Sequence, residues 1–375
     1  MIQNYRYYIA LLIAVIIVWA AFYFFTDIVS YLLIAWVLSL IGQPFMRFFK
    51  GIHIGKFKIN ESIAAILTLI CFAFIATGLV AAFVPLLVQQ INELAKVDYA
   101  ALQVSLSEPI SKIDAWAHKY GMLTSNQNLI DEATNALKKW FDPSMFGDVF
   151  RTTLSTLSNL FVTIGSVTFI TFFFLKDDKM FLNLLLAPVP TQYEPQVRHA
   201  VSEISRMLTR YFVGLLIQAS IFSTIIALGL IFWGIPNALL IGLLGGLFNT
   251  IPYIGPIIGA TMGCLIALTS NLQVDFYSEI IPILLKVIVT FSATQMLDNF
   301  VISTYVQSKS VQAHPLEIFL VVIMGAKLGG VWGMVLAIPT YTVLRVIAKI
   351  FLSEFKLVRT LTRDMTDETA PPTIS

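Results

Sequence analysis

Long apolar stretches separated by short polar loops dominate the chain. Most of these stretches approach or exceed the roughly 20 residues that an α-helix needs to cross a hydrocarbon core of about 30 Å. They lie at about residues 8–25, 28–45, 62–87, 153–175, 208–233 and 280–302. The alternating polar and apolar positions of membrane β-barrel strands are absent. The pattern therefore predicts an all-α, polytopic membrane protein with about six full spans.

Composition agrees with this pattern. Of the 375 residues, 57% are hydrophobic and 12% are charged, whereas soluble domains are about 25% charged, and the mean hydropathy is +0.81. A net charge of +2 is too small to indicate a nucleic-acid partner. Cys71 and Cys264 both lie in apolar runs, without the spacing of a disulfide or metal motif. We expect both to be structural thiols.

The first 25 or so residues could be taken for a secretory signal peptide, since Arg6 precedes an apolar run. The run is longer than a typical signal core, and it ends in the aromatic residues 22–25 rather than in a small-residue cleavage site. We interpret it as the first span. The loop at 46–61 is rich in Lys and Arg, as is the region after Ile347, which places both loops and both termini in the cytoplasm.

Four regions follow from these boundaries. Residues 1–87 are the N-terminal membrane helices, and residues 351–375 are a cytoplasmic tail. Residues 88–151 carry more acidic than basic side chains and show helical apolar spacing, which predicts an extracytoplasmic segment of amphipathic helices. It could rest on the membrane or on a neighbouring subunit. Residues 152–350 form the predicted transporter core.

Residues 237–269 must enter and leave the membrane from one face, because no cation marks either flanking loop as cytoplasmic. The stretch GGLFNTIPYIGPIIG at 245–259 lies in its middle, and arms of about 14 residues span about 21 Å at 1.5 Å per residue. We expect a re-entrant helical hairpin. Irregular backbone at such depth requires protein or a watery cavity around it, although a proline kink repaired by neighbouring helices is an alternative.

A second glycine-rich apolar segment, residues 316–347, begins and ends on the cytoplasmic side by the same reasoning and folds near residues 325–330. Two broken segments of similar length and opposite orientation are typical of an inverted repeat around a central transport site.

Polar residues in the last full span point to the same site. Ser292, Gln295 and Asn299 share one helical face, and Asp298 lies beside Gln295. Asp298 could instead be only a near-interface carboxylate, and Lys327 at the second bend either reaches a cavity or neutralises a carboxylate such as Asp298. The predicted solute- or ion-binding residues are Asn249, Thr250, Pro252, Gly255, Pro256, Ser292, Gln295, Asp298, Asn299 and Lys327.

The charged cluster that ends FFFLKDDK at 172–179 indicates an ordinary exit from the membrane rather than an ion-binding pair. Motifs of nucleotide hydrolysis, zinc hydrolysis, dithiol chemistry and serine catalysis are absent from the sequence. We therefore predict no catalytic residue, no metal site and no cofactor.

Several motifs together resemble one known family. They are FFFLKDD at 172–178, Arg210-Tyr211 followed by Gly214, NTIPYIGPIIG at 249–259, DNFVI at 298–302, KSVQAHPL at 309–316 and GAKLGGVWGMVLAIP at 325–339. In order and spacing they resemble the autoinducer-2 exporter family of bacterial inner-membrane transporters. Members of that family often have Pro, Gly and Glu where Thr304, Ser308 and Asp298 stand here.

The resemblance implies a homo-oligomeric secondary carrier in the bacterial inner membrane, embedded in lipid. Some members export a small polar signalling molecule, and others exchange sodium or lithium for protons. A channel would need a polar stripe through several helices, and a membrane enzyme or scaffold would need a catalytic constellation or a large soluble domain. We therefore expect a carrier of a small polar solute, coupled to protons or sodium.

Overall fold

The structure is a computed structural model that describes most of the predicted core. The described residues are 24–54, 57–95, 111–112, 114–115, 118–120, 157–177, 179–271, 276–302 and 314–351. The predicted first span, most of residues 88–151 and nearly all of the tail lie outside them.

Helices make up nearly all of the described chain, which confirms the all-α prediction. They are α1 (Thr26–Gly51), α2 (Glu61–Ala95), α3 (Leu157–Lys176), α4 (Met180–Leu186), α5 (Glu194–Phe232), α6 (Ala238–Asn249), α7 (Ile254–Thr269), α8 (Ile281–Leu297) and α9 (Pro315–Phe351). Two π-helical turns, Phe276–Ile280 and Asp298–Ile302, flank α8, and a single 3₁₀ turn covers Thr191–Tyr193. In the basic loop, the two-residue strands β1 (His53–Ile54) and β2 (Phe57–Lys58) pair antiparallel.

Five of the described helices are long and apolar enough to cross a membrane. They cover Thr26–Gly51, Glu61–Gln90, Thr191–Phe232, Tyr277–Val301 and Leu316–Phe351. Large apolar side chains such as Phe161 and Phe232 are strongly exposed, as expected for surfaces that face lipid. The polytopic membrane prediction is therefore confirmed, although the last of the five helices is sharply bent.

Two helices are longer than the apolar pattern predicts. Helix α2 continues to Ala95, beyond the predicted end near residue 87, and α5 begins at Glu194, well before the predicted start near 208. The apolar run marks only the part of a helix that contacts lipid. Residues 194–207 are amphipathic, with Pro195 in the first turn, where proline is tolerated, so nothing in them ends the helix.

The chain divides into two compact units. The first contains α1, α2 up to Ile75, α3, α4, α5 up to Phe212 and the last turn and a half of α9 from Val346. Two clusters of its core lie among the described residues. One joins Met46, Ala64, Ala65 and Leu175, and the other joins Ala35, Val167 and Phe174.

The second unit contains the rest of the described helices: α2 from Ala76, α5 from Val213, α6, α7, α8 and α9 up to Arg345. Its core is centred on Phe222, Ile226 and Leu230 of α5, which pack with buried residues of α6, α7 and α8 such as Ile241 and Phe291. The predicted binding residues all belong to this unit.

Helices α6 and α7 form an antiparallel hairpin. Gly259 packs against Gly245, and Gly263 packs against Ile241, so the contacts step backwards along α6 as they step forwards along α7. The helices have 12 and 16 residues, which correspond to about 18 and 24 Å at 1.5 Å per residue. Each arm is therefore shorter than a hydrocarbon core of about 30 Å.

Helix α9 consists of two helical arms that form a second hairpin rather than one continuous straight helix. Its backbone leaves helical geometry at Gly329 and Gly330, and Gly330 has a φ of 57°, which favours glycine. Gly325 and Gly333 then lie face to face, so close that a Cβ on either would collide with the carbonyl oxygen of the other. Nearer the open end, Tyr341 contacts Glu317. The chain thus folds back at the place that the sequence predicted.

Candidate ion-binding site

Among the described residues of the second unit, Asp298 is the most buried acidic side chain. It is only 3% exposed and stands where α8 passes into the π-helical turn Asp298–Ile302. Val287, Phe291 and Thr294 are buried on the same side of the helix, at intervals of four, three and four residues. Turns of this wide type often occur at functional sites. The carboxylate is thus held inside the unit, where an ionised group is costly unless it has partners.

Gln218 of α5 supplies the principal contact. Its Nε2 atom donates to both carboxylate oxygens of Asp298, at 3.0 Å to Oδ1 and 2.8 Å to Oδ2. Gln218 is itself buried, and it is the one amide side chain between Tyr211 and Trp233. Both partners are therefore removed from bulk water, which strengthens their interaction.

Asn249 approaches the same carboxyl group from the hairpin. It is the last residue of α6, it is buried, and its side-chain amide interacts with Asp298. Its Nδ2 atom is nevertheless buried without a hydrogen bond of good geometry in the described part of the chain. A buried donor in this state is destabilising.

The cluster is formed by a carboxylate and neutral amides alone. Among the described residues, none of the ion pairs involves Asp298, and Lys327 is exposed rather than paired with it. In the described part of the chain, Lys327 is thus not seen to neutralise Asp298. Within the same residues, no group of three or more His, Cys, Asp or Glu side chains could hold a metal ion.

The predicted polar face of α8 divides in the structure. Ser292 and Asn299 are exposed, and Gln295 is half-buried. Gln295 Nε2 donates to Asn299 Oδ1 at 3.0 Å, while Gln295 Oε1 is buried without a described partner. The structure therefore brings Asn249 and Asp298 together and places Ser292, Gln295 and Asn299 on another side of the helix.

The bend between α6 and α7 satisfies part of its own backbone. Ile251 donates to Phe248 O at 2.9 Å, Ile254 to Pro252 O at 2.8 Å and Gly255 to Ile251 O at 3.0 Å. The Thr250 hydroxyl also bonds locally, to Leu247 O. These three N–H groups have partners within the bend, and the expectation that the break needs protein or a watery cavity around it stays a prediction.

Pro252, Gly255 and Pro256 shape the bend instead. Pro252 and Pro256 are half-buried, and Gly255 is buried. A Cβ on Gly255 would collide with the carbonyl oxygen of Phe248, so only glycine lets α7 start this close to α6. Tyr253 has a φ of 65° and a ψ of −48°, the rare and strained form of a three-residue turn.

Two further contacts fix the first hairpin. At its open end, Gln90 of α2 donates to Thr269 at 2.8 Å, and Asn237 donates to Gln90 and to Ser270, each at 2.9 Å. At its bend, the ring of Tyr253 meets that of Phe319 in the second hairpin edge-on, with centroids 5.7 Å apart. The hairpins are therefore in contact at the bend that carries Asn249.

The sequence prediction missed Gln218. Its signal was a single amide within an otherwise apolar helix, which in a membrane span usually faces protein or a cavity. The sequence shows that a polar residue interrupts this apolar helix. It does not show which other helix that residue contacts.

Comparison with known proteins agrees with the fold. The family described as AI-2E family transporter matches residues 12–353. YueF of Bacillus subtilis (strain 168), provisionally named a transport protein, is 25% identical over 345 residues, covering 91% of this chain and 88% of YueF. YrrI of the same organism, with the same provisional description, is 26% identical over 261 residues, covering 67% of this chain and 71% of YrrI.

The similarity extends to archaea. MJ1177 of Methanocaldococcus jannaschii, also provisionally named a transport protein, is 24% identical over 169 residues, covering 44% of this chain and 47% of MJ1177. The family match spans almost the whole chain, including both hairpins and the cluster around Asp298. The protein therefore belongs to the AI-2E transporter family and is a membrane transporter.

Proposed function

We propose that the protein is a secondary carrier that exports a small polar solute across the bacterial inner membrane, with Asp298 as the coupling group for protons or sodium. The observation that supports this proposal is the buried cluster of Asp298 with Gln218 and Asn249. The cluster combines side chains from α5, from the end of α6 and from the end of α8. Membership of a transporter family supports a transport role over an enzymatic one.

The physical basis is the cost of a buried charge. Gln218 and Asn249 can orient an ionised carboxylate, but they cannot neutralise it, so a proton or a cation stabilises the cluster when it binds. Carboxylate oxygens are hard ligands that suit small cations. Because Asn249 stands at the bend of the first hairpin, a change in ion occupancy at Asp298 would act on that bend.

The membrane arrangement follows the sequence prediction. We propose that both termini are cytoplasmic, that both hairpins are re-entrant, and that they enter from opposite faces. The short arms of α6 and α7 support this geometry. We further propose that the carrier works as a homo-oligomer in the lipid bilayer, as the resemblance implies.

A second candidate is a sodium (or lithium)/proton antiporter. The buried carboxylate of Asp298 favours it, because a carboxylate can bind a proton and a small cation in turn. In this alternative no organic solute is needed.

Counterflow in proteoliposomes tests the proposal. Vesicles loaded with one solute of a panel of small polar compounds are diluted into the labelled compound, with and without imposed proton or sodium gradients. A carrier shows transient accumulation of label by exchange. Asp298→Asn, which mimics one protonation state permanently, is expected to abolish gradient-driven accumulation and to leave exchange intact.

The matched control is Glu279→Gln. Glu279 is an exposed acid at the opposite end of the same helical segment, and the variant is expected to keep both activities. Sodium-driven loss of a pH gradient without any solute would favour the antiporter. If Asp298→Asn still concentrates solute with unchanged pH dependence, Asp298 is structural and the coupling proposal is wrong.

A further inference from the structure

The first unit contains a cavity of about 510 Å³ that the proposed transport cluster does not use. This volume is in the range of small-molecule sites, roughly 300–1,000 Å³. The walls come from α1, from the end of α3, from α4 and from the first half of α5. The lining residues are Trp36, Ser39, Leu40, Gln43, Arg47, Phe174, Phe181, Leu182, Val201, Ser205, Arg206, Thr209 and Arg210.

The charge of this lining is entirely positive among the described residues. Arg47 comes from α1, and Arg206 and Arg210 come from neighbouring turns of α5. Arg206 and Arg210 are one helical turn apart on α5, so three guanidinium groups from two helices line one cavity. Arg47 and Arg210 are exposed and Arg206 is half-buried, which makes the cavity accessible from outside the protein.

Two of the lining hydroxyl groups already donate within their own helices. The Ser39 hydroxyl donates to Trp36 O at 2.7 Å, and the Thr209 hydroxyl donates to Ser205 O at 2.7 Å. A ligand would therefore be held mainly by the guanidinium groups, with the Gln43 amide beside them. Guanidinium groups bind phosphate oxygens in pairs of parallel hydrogen bonds, which ammonium groups cannot do.

One wall of the cavity is aromatic. Trp36 stacks on Phe181 with centroids 4.4 Å apart and an interplanar angle of 14°. Phe174 meets Phe181 edge-on at 5.5 Å. Trp36 and Phe181 belong to different helices, so the stack fixes the distance between α1 and α4. A ligand in this cavity would meet a cationic side and an apolar side.

We propose that this cavity binds the phosphate group of an organic ligand, with Arg47, Arg206 and Arg210 as the anion-binding residues. The same chemistry fits two sources, the headgroup of an anionic phospholipid and a soluble phosphate ester. The proposal does not depend on the cluster at Asp298, which lies in the other unit.

The test compares two phosphate sources on the purified full-length protein in nanodiscs. In the first arm, phosphatidylcholine nanodiscs receive inorganic phosphate or, as the control, chloride at equal ionic strength. In the second arm, phosphatidylglycerol replaces part of the phosphatidylcholine. The measurements are the Tm and the Trp fluorescence of the protein. A fluorescence change that arises from ligand in the cavity is expected to disappear in Trp36→Phe.

At least one arm is expected to raise the Tm of the wild type by several degrees, on the order of 3–8 °C for saturating ligand. The double variant Arg206→Gln/Arg210→Gln is expected to lose this rise. The control Arg198→Gln removes an exposed cation from the same helix outside the cavity lining, and it is expected to keep the rise. If the double variant does not fold, Arg47→Gln replaces it.

Each outcome has one meaning. A rise with phosphatidylglycerol alone supports a lipid headgroup, and a rise with inorganic phosphate in phosphatidylcholine supports a soluble ester. The proposal is overturned if neither source raises the wild-type Tm above its control, or if the arginine variants respond as fully as the wild type.

Discussion

Gln218 and Asp298 lie 80 positions apart in the chain, and one amide nitrogen of Gln218 bonds to both carboxylate oxygens of Asp298. This two-point contact fixes the plane of the carboxylate and ties α5 to the turn that follows α8. The hairpin enters the cluster through Asn249. In the proposed coupling, an ion that binds to or leaves Asp298 would act on three segments of the second unit at once.

Replacing Gln218 by Leu removes the donor and leaves the carboxylate buried. An unsatisfied buried polar group costs about 1–3 kcal/mol, so Gln218→Leu should lower the Tm in detergent or nanodiscs. In an Asp298→Asn background, Gln218→Leu should lower the Tm less, because a neutral amide is stabilised less by a hydrogen-bond donor than a carboxylate is. Additive losses in this double-mutant cycle would contradict the contact. Ser220→Ala, on an exposed position of α5, is the matched control.

The sequence located both hairpins because their glycines and prolines are local signals. The bend at Gly329 and Gly330 needs a positive φ at Gly330, and Pro252 excludes a continuous helix. How the first bend satisfies its own amides was not predictable. The bond from Ile254 N to Pro252 O depends on the φ of Tyr253, and nothing in the residue type of tyrosine predicts a positive value.

The residues of the candidate site were predicted only in part, and the reason differs from that for the hairpins. Ser292, Gln295 and Asn299 were grouped with Asp298 because all are polar residues in one span. The apolar side of the helix was the better guide, because Asp298 continues the buried row of Val287, Phe291 and Thr294. A carboxylate on the core side of a helix must find a partner. Which partner it finds is decided by helix packing, and one sequence without its packing cannot supply that information.

Gly255 is predicted to be essential for folding rather than for direct contact with a solute. Gly255→Ala should lower the Tm by several degrees, because its Cβ collides with the Phe248 carbonyl oxygen, a backbone atom that cannot move aside as a side chain can. The control is Gly78→Ala in α2, where an added Cβ meets nothing within 4 Å. Thermal unfolding of both variants in the same detergent checks this. If Gly255→Ala and Gly78→Ala had the same Tm, the prediction would be wrong, because the hairpin would then open easily enough to accommodate the added Cβ.

The predicted topology can be tested with single cysteines. In a background without Cys71 and Cys264, Lys56→Cys and Asp114→Cys should react with an impermeant thiol reagent from opposite sides of the membrane. We expect this because the basic loop at 46–61 should lie in the cytoplasm and the acidic segment at 88–151 should lie outside. Right-side-out and inverted vesicles, labelled in parallel, give the measurement. Labelling of both positions from one side would refute this topology.

The second hairpin is predicted to depend on the bond between its arms. Tyr341 Oη donates to Glu317 Oε2 at 2.6 Å, and a hydrogen bond to a charged group contributes about 1.5–3 kcal/mol. Tyr341→Phe should therefore lower the Tm, whereas Tyr193→Phe, at an exposed position outside the hairpin, should change it little. In a Glu317→Gln background the loss from Tyr341→Phe should shrink, because the acceptor is no longer charged. A loss of the same size in both backgrounds would show that Tyr341 stabilises the hairpin through packing of its ring and not through this bond.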